Sequence, residues 1–118
     1  MSDFERVPSI KITDNDTGNV YELDFCRESV RFAEARGFKT EDVFDYPVTK
    51  FPEFWFYAFR MHHKDVAKNK TDALYEKMGG FTEKLMTRLI ELYNQAATSN
   101  NIQDEEELAK NAKVTVEL

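Results

Sequence analysis

A chain of 118 residues is one domain, and 42% apolar with 14% aromatic side chains excludes compositional disorder. At this length it buries roughly two thirds of its unfolded surface. A net charge of −6 sets an acidic surface that repels phosphate, which argues against nucleic-acid and anionic-membrane partners.

Residues 8–25 read as a β-hairpin. Ile10 and Ile12 alternate with polar residues, and Tyr21, Leu23 and Phe25 do the same beyond the turn. Between them, 14–19 is dense in turn formers, with Gly18 suited to positive φ. Asp24 or Ser29 is the expected cap of a helix from Arg27 to Arg36, with Gly37 in its C′ position. Thr40, followed by Glu41 and Asp42, opens a short capped turn.

Phe51 to Phe59 holds six of the sixteen aromatic side chains, including the only Trp. Pro52 suits a first helical turn, which predicts a helix from about Pro52 to about Ala67. Phe51, Trp55, Ala58 and Phe59 share one face of it, Phe54, Tyr57 and Met61 lie beside them, and Phe56 falls towards the other side. So much aromatic surface makes the helix a core element or gives it a second face for a partner; Trp55 itself is expected to be buried.

Thr71-Asp72 should open a short helix, Ala73 to Met78, stopped by Gly79-Gly80, and Thr82 the last long helix. Leu85, Leu89 and Leu92, with Met86, Tyr93 and Ile90, form its apolar stripe. Residues 100–113 are polar, acidic at 104–107, and read as a mobile segment or an exposed helical turn. Val114, Val116 and Leu118 alternate with Thr115 and Glu117, as in a strand that pairs with the hairpin of its own chain or of a neighbour's, the latter giving a homo-oligomer. The fold class is α+β, a hairpin packed on four or five helices with 114–118 as a candidate third strand.

Chemistry is sparse. His62 and His63 are adjacent, so on a helix they point about 100° apart and do not share a metal. Cys26, the only cysteine, excludes an internal disulfide, fits a reducing compartment and reads as small apolar filler rather than a nucleophile. Asp14, Asp16 and Gly18 have the look of a calcium loop, but Glu22 falls too early and the flanks are strands. Glu28 with Glu34, and Asp42 with Asp45, carry no mark of acid–base partners. No catalytic residue, cofactor site or metal site is expected, and no activity as an enzyme. The first twenty residues lack a signal peptide's apolar run, and no segment reaches the roughly 20 apolar residues of a membrane span, so the expectation is a cytoplasmic protein.

The run Tyr21 to Val30, then Phe32 to Phe38, Tyr57 to Lys64 and Leu89 to Gln95 resembles a family of small bacteriophage and prophage proteins of Gram-positive hosts. The resemblance extends over about residues 8–118. It is similar in size and gene setting to the tail assembly chaperones of long-tailed phages, small acidic proteins that keep the tape measure protein soluble until the tail tube forms around it. The resemblance implies a binding protein in the host cytoplasm with no enzymatic role. The candidate partner-binding side chains are Trp55, Phe56, Tyr57, Met61, Leu85, Leu89 and Leu92, with the two helices as walls of a groove. A structural tail or head-completion protein, and an acidic prophage-encoded inhibitor, are the alternatives.

Overall fold

The computed structural model describes residues 6–99, so the expectations for 100–113 and 114–118 lie outside the described residues. In chain order the elements are β1 (Ile10–Thr13), β2 (Val20–Leu23), α1 (Arg27–Ala35), α2 (Thr40–Asp45), α3 (Pro47–Phe59), α4 (Lys68–Met78) and α5 (Glu83–Ser99). This is the expected α+β architecture, an antiparallel hairpin packed on helices.

The hairpin pairs Ile10 with Leu23 and Ile12 with Tyr21, so the alternating apolar residues share one face. Tyr21 and Leu23 are buried by that face. The turn closes through the Asp14 N–H to Asn19 C=O bond (2.8 Å), with Gly18 at φ +79°. At the far end, Asp24 N–H donates to Ala58 C=O (3.1 Å), which ties the continuation of β2 to α3.

Ser29 serves α1 from inside the helix. The Cys26 N–H donates to Ser29 Oγ (2.9 Å) and Ser29 Oγ donates to the Cys26 carbonyl (3.0 Å). Asp24 Oδ1 instead accepts from the Phe25 N–H (2.7 Å). Thr40 is the first residue of α2, with Lys39 in the cap position. For α5 the expected cap forms, Leu85 N–H to Thr82 Oγ1 at 3.1 Å.

The aromatic helix differs from expectation at both ends. It starts at Pro47, and Pro52 sits inside it. Tyr46 serves as both the C-cap of α2 and the N-cap of α3, so Pro47 holds the first helical position that sequence reasoning gave to Pro52. The missing N–H of Pro52 removes one early bond, and the Lys50 N–H to Tyr46 C=O bond (2.9 Å) has already closed the first turn. The helix ends at Phe59 rather than Ala67, with Arg60 as its C-cap, and turns follow in which the His63 N–H still reaches the Phe59 carbonyl (2.8 Å) while the side chain turns to β2. Its Nε2 accepts from the Glu22 N–H (2.9 Å), and its ring meets Tyr21 edge-on at 5.3 Å. Freed from α3, Lys68 begins α4, which makes Thr71 a buried interior residue rather than a cap. Gly79 closes α4 at φ +82°.

Phe54 is the centre of the core. Phe25 stacks on it at 5.5 Å and Phe38 at 5.3 Å, while Tyr93 meets all three rings edge-on at 5.1–5.9 Å. Trp55 is fully buried, as expected, and its Nε1–H donates to the Thr71 carbonyl (2.9 Å), joining α3 to α4. Phe59 and Phe81 pack edge-on against its indole at 5.2 and 5.6 Å.

Two losses are separable at Trp55. Trp55→Ala removes the indole volume and should cost about 3–5 kcal/mol. Trp55→Phe keeps most of the apolar contact but deletes the donor to Thr71, and should cost about 1–3 kcal/mol. Urea unfolding followed by far-ultraviolet circular dichroism measures both, and a Trp55→Phe variant as stable as wild type would show that the hydrogen bond contributes nothing.

Candidate functional site

Of the seven side chains expected to meet a partner, Trp55, Tyr57, Leu89 and Leu92 lie in the core. Trp55, Leu89 and Leu92 are 0% exposed and Tyr57 is 4% exposed. As folded they offer no surface to a partner. Phe56, Met61 and Leu85 are half-buried at the margin. The reason is the hairpin together with α1, which cover the faces of α3 that a helical projection leaves open.

The most exposed large apolar side chains lie elsewhere, with Val20 and Met78 exposed singly and three others close together. Phe44 is 61% exposed, Tyr46 63% and Val48 87%, all at the junction where α2 turns into α3. Val43, next to Phe44 in α2, is the anchor at 0% exposure. Pro47 fixes the backbone of the corner, and Thr49 Oγ1 donates to the Tyr46 carbonyl (3.3 Å). The acids Glu41 and Asp45 are exposed beside this patch, and Asp42 is half-buried. Sequence reasoning missed the corner because Phe44 ends a short capped turn and Val48 falls in the linker between Pro47 and Pro52, without a periodic stripe to mark them.

Two polar seams join the hairpin to the helices. At its tip, Lys77 Nζ lies 3.0 and 3.1 Å from the two Asp14 oxygens and 3.0 Å from Asp16 Oδ2. The turn that has the look of a calcium loop thus holds an ammonium between its carboxylates. The hydrogen bond from Lys77 keeps the Asp14 carboxyl below its ordinary range, although burial opposes this, and the Asp16 N–H at 3.1 Å adds to it. Hydrogen bonds to Asp16 and Asp14 in turn raise Lys77. Beside this seam is a cleft of about 410 Å³ between Ile12–Asp16 and the Leu74, Lys77 and Met78 side of α4, with Trp55 beneath it.

The second seam lies at the other end of β2. His62 Nε2 is 3.6 Å from Glu22 Oε2, Ser9 Oγ donates to the same Glu22 oxygen (2.8 Å), and Arg6 Nη2 is 3.6 Å from Asp24 Oδ2. The Ser9 hydrogen bond, more than the nearby histidines and Lys11, holds the Glu22 carboxyl below its ordinary range against desolvation. The two adjacent histidines therefore both engage Glu22, one through its side chain and one through its backbone. Cys26 is half-buried at the start of α1, with Ser29 Oγ donating to its Sγ at 3.7 Å. Glu28 forms an ion pair with Arg60 at 3.0 Å.

The fold and these surfaces define a small α+β domain with polar seams and an exposed apolar corner. Among the described residues no helix is long and apolar enough to cross a membrane. The chain belongs to the family described as a domain of unknown function, DUF5055, whose family model matches residues 1–118. No curated protein and no solved structure matches it significantly.

The Lys77 seam sets a pH dependence with a definite sign. Asp14 is depressed in the fold, so its contribution is present above the ordinary carboxylate value near ~4 and is lost as pH falls through the folded value. Lys77 is raised, so its contribution is present below about 10.4 and is lost as pH rises through the folded value. Asp14→Asn should lower the melting temperature at neutral pH and flatten its fall below about pH 4. Thermal melts of both proteins across pH check this, and parallel acid limbs would remove Asp14 from the account.

Proposed function

We propose that this protein is a binding protein similar to phage tail assembly chaperones, acting in the cytoplasm of a bacterial host, and that its corner of Phe44, Tyr46 and Val48 receives an apolar helical segment of the tape measure protein. The observation that carries this reading is the exposure of three large apolar side chains within five positions, next to a fully buried anchor. Solitary exposed apolar residues are ordinary, whereas a contiguous group marks an interaction surface. Pro47 and the shared cap at Tyr46 hold the corner in one shape, which lowers the ordering cost on binding. Glu41, Asp42 and Asp45 beside it favour a segment with basic residues flanking its apolar stripe. The net charge of −6 keeps a complex with an insoluble partner dispersed. The resemblance to small phage and prophage proteins supplies the identity of the partner.

Co-expression with a phage tape measure protein should raise that protein's soluble yield, and a pull-down should recover the pair. Phe44→Ala and Val48→Ala together should weaken capture by roughly tenfold or more. Both sites are exposed, so folding stability should move by less than about 1 kcal/mol. If the wild-type protein recovers nothing, the chaperone role is wrong. If the double variant binds as well as wild type, the partner sits elsewhere on the surface.

A further inference from the structure

We infer that Glu22, Asp24 and His62 form a binding site for a divalent transition-metal ion such as zinc. Glu22 is on β2, Asp24 is two positions on, and the turn after α3 brings His62 to them. One donor atom from each lies within 4.8 Å of the other two. An ion at ordinary bond lengths of about 2.0–2.2 Å sets neighbouring donors roughly 3.0–3.5 Å apart, so the set closes on it by small side-chain rotations. The Glu22 and His62 side chains are 39% and 34% exposed, which leaves them room to rotate and the ion a path in. Asp24 is the fixed member, with its side chain only 7% exposed.

The donors are also oriented from outside. The Phe25 N–H holds Asp24 Oδ1 at 2.7 Å, and Ser9 Oγ holds Glu22 Oε2 at 2.8 Å. His63 is excluded as a ligand through Nε2, because that atom accepts from the Glu22 N–H. The same bond fixes β2 against the turn that carries His62, so ligands distant in sequence keep a constant relation. One imidazole and two carboxylates suit zinc, manganese or cobalt, and two anionic ligands neutralise a divalent charge. Arg6, 64% exposed and 3.6 Å from Asp24, is the cation that the ion displaces. Three protein ligands leave a coordination position for water or for a group from a partner. This inference does not depend on the proposed chaperone role.

Cobalt and zinc titrations of the whole chain test it, followed by visible absorption for cobalt and by calorimetry for zinc. Wild type should take up a single tight ion, and the cobalt adduct should show ligand-field bands. His62→Ala should weaken binding by roughly 10–100-fold or more, and Ser9→Ala by about tenfold, since an outer-shell hydrogen bond carries that much. Glu91→Gln, in the exposed part of α5, should bind as wild type does. Circular dichroism checks that His62→Ala remains folded. Binding no tighter than millimolar in the wild type, or equal affinity in wild type and His62→Ala, overturns the site.

Discussion

Four elements meet at one aromatic ring. Phe54 on α3 has Phe25 from the end of the hairpin on one stacked contact and Phe38 from the α1–α2 connection on another, while Tyr93 on α5 closes the group edge-on. Offset and edge-on ring pairs contribute about 0.5–1.5 kcal/mol each beyond area burial, so the cluster gains from geometry as well as from exclusion of water. Its members are spread from residue 25 to residue 93, and the rings meet only when hairpin, connection and both helices are in place. Burial also pushes the Tyr93 hydroxyl up to about 12, the mark of a phenol removed from solvent.

That arrangement decides where binding is available. Because α3 is covered by the hairpin and α1, its aromatic density is consumed internally. Of the large apolar side chains left outside, Phe44, Tyr46 and Val48 belong to the α2–α3 corner, while Val20 and Met78 stand apart on the hairpin and at the end of α4. Polar seams join the hairpin to the helices at its two ends, and further ion pairs such as Arg60 with Glu28 and Lys68 with Asp72 lie along the helices. Core, apolar corner and polar seams are thus consequences of one packing solution.

Much of this is legible in the sequence. Alternation at Ile10, Ile12, Tyr21 and Leu23 gives the hairpin and its inward face, and the Leu85, Leu89 and Leu92 spacing with Thr82 gives α5 and its cap. Gly79 marks the end of α4. The ends of α3 are not legible, for two different reasons. Its start is ambiguous because Tyr46-Pro47 and Phe51-Pro52 both satisfy the local rule for a first turn, and only the cap shared with α2 selects the earlier one. Its end carries no Gly or Pro, and the contact made just beyond it, between His63 and Glu22, joins residues 41 positions apart, which no local pattern encodes. The partner-binding side chains fail for a related reason. Helical periodicity ranks Trp55, Tyr57, Leu89 and Leu92 as apolar faces, but it does not say how many other elements cover them. The meeting of Glu22, Asp24 and His62 follows from that same end of α3, and so it was invisible in advance.

Lys77 joins the last turn of α4 to a β-turn 63 residues earlier in the chain. The hairpin has two strands of four residues, too few to hold on their own. Its tip is therefore held by the helix end rather than by its own ladder. Fluctuations that fray α4 release the ammonium, and the strand ends at Thr13 and Val20 lose their anchor in the same event. Amide hydrogens at these sites and in the final turn of α4 thus belong to one cooperative opening unit, with a common exchange free energy below that of the aromatic centre.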